Sequence, residues 1–329
     1  VKGKILITGA AGFIGKRLSA RLLKSGAEVR CLLRHLSPVP AELSGAEIVR
    51  GDLLDPASLE QAAKDVSAVL HCAALVRPRG AIISRREFLK TLEAVNRDGA
   101  RNVAAAAAAA GAKLFLHLSS IAAQGPGVSL RETDPCRPMT LYGRSKLDSE
   151  TAVMQGIPPG SSCRLVIARP AMIYGKDSPN WNKFFSAVRS GLVPVPGRGN
   201  NTLSVCWVES LVDALLLLAK SGEDRAAYTV SEGPRTWNDL ARMSSEAIGV
   251  KAKILKVPEW PLALAAFLAG PAMRPAGLWL PAAGFLAEPG SFREAVANWG
   301  HDTTRLCALG WSPRLSTPEA LAAELREAA

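Results

Sequence analysis

The chain has 329 residues, 48% hydrophobic and 21% charged, a length and balance that suit a large folded α/β core and exclude a disordered or fibrous chain. Forty Lys and Arg against 29 Asp and Glu leave a net charge of +11. The cations are scattered and there are only three tyrosines with no aromatic–basic interleaving, which excludes a nucleic-acid partner and leaves a solvated basic surface, an anionic ligand or a membrane surface.

Lys4–Thr8 is a short apolar run suited to a buried parallel strand, and Gly12–Ser25 carries helical periodicity. Strands follow at Glu28–Arg34 and Ala46–Arg50, then Gly51-Asp52, a helix near Pro56–Lys64 and a strand at Val66–Cys72. The densest basic group, Arg77, Arg79, Arg85 and Arg86, falls in an expected loop. Glu87–Ala110 reads as one long helix, whose alanine run suits close packing on a sheet. Lys113–Ser119, the helix Leu141–Met154 and the strand Cys163–Arg169 complete a regular alternation, which predicts a doubly wound parallel sheet. After Tyr174 the rhythm loosens, with strand-like runs near Leu203–Val208 and Tyr228–Val230 and helices near Val212–Lys220 and Trp237–Ile248. The expected division is a dinucleotide-binding domain over 1–175, with 203–231 returning to it. A smaller, mostly helical substrate subdomain takes 176–202 and 232–329. Pro261–Ala287 is apolar but interrupted by Arg274, prolines and glycines; it reads as a buried helix pair or an apolar lid, not a membrane span. Cys31, Cys72, Cys136, Cys163, Cys206 and Cys307 form no C-x-x-C pair and read as reduced core residues, with no metal site. With no signal segment before the first strand, a cytoplasmic protein is expected.

Thr8-Gly9-Ala10-Ala11-Gly12-Phe13-Ile14-Gly15 follows the first strand and opens the first helix. Glycines there let backbone approach a pyrophosphate, and the first helical N–H groups face the phosphates. The second strand ends at Arg34 with no carboxylate, which favours NADP(H) over the alternative, NAD(H). Asp52 is placed to meet the adenine amino group, and His71 reads as a packed strand residue beside the small Cys72-Ala73-Ala74.

Tyr142-Gly143-Arg144-Ser145-Lys146 puts a tyrosine and a lysine on one helix face. A phenol has a pKa of about 10, so Lys146 is expected to lower it and to bind the nicotinamide ribose. Ser119-Ser120, at the carboxyl end of the fifth strand, supplies a hydroxyl for the substrate oxygen.

On these residues the chain resembles an extended short-chain dehydrogenase/reductase, the group that includes nucleotide-sugar epimerases and dehydratases, 3β-hydroxysteroid dehydrogenases and dihydroflavonol reductases. The likeness runs through Thr8–Gly15, Gly51-Asp52-Leu53, His71–Ala74, Asn96, Ser119-Ser120, Tyr142–Lys146, Arg169-Pro170, Tyr174-Gly175 and Leu309–Pro313. It implies a Rossmann domain, a bound NAD(P) and a Ser-Tyr-Lys triad, with the hydroxyl on Ser120 and Ser119 as the fallback. The catalytic set is then Ser120, Tyr142 and Lys146. The cofactor set is Gly9, Ala11, Gly12, Phe13, Ile14, Gly15, Arg34, Asp52, Leu53, Ala73, Ala74, Tyr142, Lys146 and Pro170. Ile121-Ala122 stand where similar dehydratases carry Asp-Glu, which speaks against dehydration. Leu203-Ser204 stand where the epimerases carry Arg-Asp, which weakens the sugar-nucleotide reading.

The expected function is an NADP(H)-dependent oxidoreductase interconverting a secondary alcohol and a ketone on a lipophilic, sterol-, terpenoid- or long-chain-like substrate. A nucleotide-sugar 4-epimerase retaining NAD is the alternative, and a non-catalytic dinucleotide-binding protein a third class. The resemblance also suggests a homodimer through Glu87–Ala110 and Leu141–Met154, and the basic, apolar character permits peripheral membrane contact.

Overall fold

The computed structural model describes residues 3–76, 83–179, 181–258, 278–279 and 291–326. The alternation read from the sequence forms one parallel sheet. In chain order its elements are β1 (Lys4–Thr8), α1 (Phe13–Lys24), β2 (Val29–Leu33), β3 (Glu47–Arg50), α2 (Pro56–Ala63), β4 (Val66–His71) and α3 (Arg85–Leu92). They continue with α4 (Gly99–Ala109), β5 (Leu114–Leu118), α5 (Ile121–Gln124), α6 (Leu141–Gly156), β6 (Arg164–Pro170), α7 (Val208–Ser221) and β7 (Ala226–Val230). The spatial order is β7-β6-β5-β4-β1-β2-β3, every neighbouring pair parallel. The order reverses between β1 and β4, and that switch point is where a sheet of this kind opens a crevice beyond its strand ends.

Side-chain alternation along each strand feeds two cores. Ile5 and Ile7 face Leu18 and Leu22 of α1 and Leu211, Leu215 and Leu218 of α7. Leu6, Val69, Phe115 and Leu165 face Leu59 of α2, Val103, Ala104 and Ala107 of α4 and Val153 of α6. The alanine run therefore packs, as a small-residue surface should.

Three features depart from the sequence expectation. The helix expected over Glu87–Ala110 starts at Arg85, and its middle, Glu93–Asp98, is a π turn rather than an α-helix. Beyond the helices at Trp237–Ile248, Ser291–Val296, Thr304–Ala308 and Thr317–Arg326, the C-terminal region contains short strands. Leu192–Pro196 pairs in parallel with Lys253–Val257. Thr202–Trp207 joins Met172–Tyr174, Pro234–Thr236 and Trp299–His301 in a small sheet, whereas Ala226–Val230 extends the main one. Cys307 is exposed, unlike the buried Cys31, Cys163 and Cys206, and all six thiols are free. Arg77, Arg79 and most of Pro261–Ala287 lie outside the described residues; Leu278–Trp279 pairs antiparallel with Ile83–Ser84. No helix among the described residues is long and apolar enough to cross a membrane.

Buried imidazoles make the fold acid-sensitive. His71 of β4 and His117 of β5 stack with ring centroids 5.4 Å apart. His71 Nδ1 lies 2.7 Å from Thr8 Oγ1, and His117 Nε2 lies 2.9 Å from Ser149 Oγ. Burial first, and then the Lys146 charge, holds His71 down to about 3 and pulls His117 down as well. Burial also takes His301 down to about 4. All three are neutral when folded but take a proton near pH 6.5 when unfolded, so this stability is complete above about pH 6.5 and lost below it. The slope is about 1.4 kcal/mol per pH unit for each group. Urea midpoints should fall between pH 7 and pH 5; equal midpoints would contradict neutral burial.

Candidate active site at the carboxyl edge of the sheet

The glycine turn leaves β1 at the switch point. Gly9 has φ +69°, and a Cβ there would come within 2.6 Å of the Ala73 amide, so this position requires glycine. The turn closes through the Gly12 amide on the Gly9 carbonyl at 2.9 Å. Ala11 and Gly12 are exposed, and Phe13, Ile14 and Gly15 form the first turn of α1, whose N–H groups open onto the crevice. Ala73 and Ala74 continue from β4. This backbone-lined cradle fits a pyrophosphate.

Arg34 follows β2 and is exposed. Arg50 Nη1 donates to the carbonyls of Arg34 and Ser37, at 2.9 and 2.6 Å, so Arg50 shapes the loop while the Arg34 side chain faces solvent. Asp52 follows β3; its Oδ1 accepts from the Leu54 amide at 2.9 Å, while the Leu53 carbonyl accepts from Asn102 Nδ2 at 3.1 Å. Arg34, after β2, and the β5 end are separated by the strands β4 and β1. Three inter-strand steps make about 14 Å, a span suited to one extended dinucleotide.

At the other end, α6 is set against β5. Thr140 caps the helix by accepting from the Gly143 amide at 3.2 Å. A Cβ on Gly143 would collide with the Ala122 carbonyl, so glycine is what lets the helix close on the loop after β5. That approach sets the Tyr142 hydroxyl beside Ser120. Ser120 also caps α5, its Oγ accepting from the Ala122 amide at 3.1 Å. Burial pushes the Tyr142 phenol up to about 12; the neighbouring Ser120 hydroxyl opposes this and the Glu294 charge adds to it. Lys146 is 1% exposed and its Nζ donates to the Leu118 carbonyl at 2.7 Å. Burial pulls this ammonium down to about 8, against the charges of Glu150 and Cys72. Pro170 ends β6, buried beside Val230 of β7.

The paired serines separate cleanly. Ser119 Oγ donates to Glu150 Oε1 at 2.5 Å, and Glu150 is held by Arg169 through Nε at 2.9 Å and Nη2 at 2.7 Å. Ser119 therefore points into the protein and Ser120 toward Tyr142. Neither Glu150 nor the π turn was singled out from the sequence. Glu150 stands four residues after Lys146, on the same helix face, and that spacing was the available signal. The π turn carries Asn96, which accepts from the Leu75 amide at 2.7 Å and donates to the Leu75 carbonyl and to Ser145 Oγ, each at 2.8 Å. Asn96 thereby ties the chain after β4 to the helix of Tyr142.

The sheet order and the glycine turn at its switch point define a doubly wound dinucleotide-binding fold. Residues 5–231 match the NAD dependent epimerase/dehydratase family, and the chain belongs to it, as an enzyme of the extended short-chain dehydrogenase/reductase superfamily. A ceramide reductase of Caulobacter vibrioides is 31% identical over 264 residues, 78% of this chain and 74% of that protein. A 3-beta-hydroxysteroid dehydrogenase of Mycolicibacterium neoaurum is 28% identical over 270 residues, 78% of this chain and 73% of that protein. The structure of MoeE5 in complex with UDP-glucose and NAD superposes with a TM-score of 0.76 at 25% identity, covering 98% of both chains.

The Arg169–Glu150–Ser119 contacts are buried, so removing one charge leaves the other unpaired. Glu150→Gln should lower the unfolding free energy by about 3 kcal/mol, and Ser119→Ala by about 1 kcal/mol. Urea denaturation checks both; equally small losses would contradict the clamp.

Proposed function

We propose that the enzyme interconverts a secondary alcohol and a ketone on a lipophilic substrate, using NADP(H). The observation that carries the reaction type is the juxtaposition of Ser120 with Tyr142, on the helix of the buried Lys146, at the carboxyl edge of the sheet that carries the glycine-lined cradle. The exposed Arg34, with no carboxylate at the end of β2, supports the 2′-phosphate and hence NADP(H). Similarity to a ceramide reductase and a 3-beta-hydroxysteroid dehydrogenase supports the lipophilic substrate class.

The cradle at Gly9–Gly15 would hold the pyrophosphate, Arg34 the adenosine end and Lys146 the nicotinamide ribose. The group supplies or accepts a hydride at its nicotinamide when bound. In the reducing direction the Tyr142 hydroxyl gives its proton to the substrate's carbonyl oxygen, and in oxidation it takes that proton back. With its phenol held near 12 by burial, Tyr142 carries the proton at neutral pH and is ready to act as an acid. Lys146, expected to lower that pKa, is not among the groups acting on it in the structure, so in oxidation the lowering would come from the cationic ring of the bound cofactor. Ser120 hydrogen-bonds the same oxygen and limits its movement.

One observation favours a second reading, a nucleotide-sugar 4-epimerase. A cleft of about 630 Å³ is lined by Arg198, Lys256, Asn200 and Asn201, with no carboxylate among the described residues, and suits a diphosphate. MoeE5, with its UDP-glucose, supports that alternative.

Two variants test the proposal. Arg34→Ala should raise the Kd for NADPH by about tenfold or more and leave NADH binding unchanged, as read by fluorescence titration. Tyr142→Phe should keep NADPH affinity and lower kcat for ketone reduction by about a thousandfold. Purification with NAD retained, and turnover of a UDP-sugar without added cofactor, would move the assignment to the epimerase.

A further inference from the structure

Two segments of the C-terminal region carry a one-sided charge. Residues 182–198 hold Lys183, Arg189 and Arg198, residues 249–258 hold Lys251, Lys253 and Lys256, and neither segment contains an aspartate or glutamate. All six cations are exposed. Among the described residues, none of their side chains pairs with a carboxylate. The two acids of the adjoining helix Trp237–Ile248, Asp239 and Glu246, are both engaged by Arg242. Strongly basic proteins usually lace such surfaces with counter-charges, as α1 does here through Arg21 with Glu209 and Asp213.

The fold brings these segments side by side. Leu192–Pro196 and Lys253–Val257 run in parallel with Leu192 beside Lys253 and Pro194 beside Leu255. One face of the pair, Val193, Val195 and Ile254, packs against Val188 and Ala241. The other carries Leu192, Pro194, Lys253 and Leu255, and both leucines are 46% exposed. A strand pair covered on one side puts polar residues on the other, so leucines at two of these four outward positions break the rule. The Lys253 amide donates to the Gly191 carbonyl at 2.8 Å, which brings the end of the Arg189 helix to Lys253. At the opposite end the surface meets the cleft lined by Arg198, Lys256 and Pro258.

We propose that this face docks the enzyme on an anionic lipid bilayer. Leu192 and Leu255 enter the headgroup boundary, and Lys253 on the same face, with the exposed cations of the two flanking segments, neutralises lipid phosphates beside them. The contact is peripheral, with the cleft opening beside the lipid surface. Charge complementarity selects this occupant: an apolar patch flanked by cations that pair with no described carboxylate repels a second copy of itself, because a two-fold contact would set like charges near one another. The docking goes beyond the substrate assignment and needs no substrate to be observed.

The test is flotation of the full chain with phosphatidylcholine vesicles, with and without phosphatidylglycerol. The wild type should float only with the phosphatidylglycerol vesicles and be released by high salt. Leu192→Ser/Leu255→Ser, and separately Lys251→Glu/Lys253→Glu, should each weaken binding by about tenfold or more. Each variant should keep the wild-type NADPH affinity, which shows that it is folded. Failure to float with anionic vesicles overturns the proposal, as does equal binding by wild type and both variants, or equal binding to phosphatidylcholine alone. A wild-type dimer converted to monomer by the double serine variant, without vesicle binding, would assign the face to self-association instead. Ketone reduction on a short, soluble substrate is unaffected in either case, so failure of the docking and failure of the alcohol–ketone reading are seen separately.

Discussion

The buried ammonium of Lys146 is the constraint on which the site depends. Moving a lysine charge out of water costs several kcal/mol unless hydrogen bonds and opposite charge offset it. The offset comes from two elements, the Leu118 carbonyl of β5 and Glu150 one turn along α6, whose carboxylate is fixed in place by Arg169 on β6. A helix held this way cannot rotate without exposing the carboxylate or stranding the ammonium. Its register on the sheet then sets where Tyr142 points, and Gly143 brings it close enough to reach Ser120.

The same arrangement explains why the two serines differ. Adjacent residues leaving a strand point in opposite directions, and the clamp takes the inward one. Ser119 is spent on Glu150, and Ser120 is left at the crevice, where it meets the phenol. Asn96 works at the other flank. A π turn displaces it from the helical spiral so that its amide satisfies both backbone groups of Leu75 and the hydroxyl of Ser145. Chain leaving β4, beside the expected cofactor path, is therefore fixed to the helix that carries the reacting groups.

Much of this was legible in the residues because it is local. The apolar runs at Lys4–Thr8 and Leu114–Leu118, the glycines at 9, 12 and 15, and the four-residue spacing of Tyr142 and Lys146 each declare themselves within a few positions. What escaped depends on distant partners. Glu150 looks like any helical acid until Arg169 and Ser119 are brought to it from two strands. The π turn at Glu93–Asp98 follows from Leu75, some twenty residues earlier. The short strands at Lys253–Val257 and Trp299–His301 carry little periodicity, because their partners lie at Leu192–Pro196 and Gly127–Leu130. The Glu294 charge acts on Tyr142 from a helix near the other end of the chain, and nothing in either segment announces it.

The most direct measurement of the reacting centre is a pH titration of ¹³Cζ-labelled tyrosine by NMR. The chain has three tyrosines, so the Tyr142 resonance is assigned by its loss in Tyr142→Phe. The account predicts a phenol that titrates near 12 in the free protein. Saturation with NADP⁺ should bring it well below about 10. A Tyr142 resonance indifferent to both NADP⁺ and NAD⁺ would contradict the account, because the phenol would then not stand at the nicotinamide.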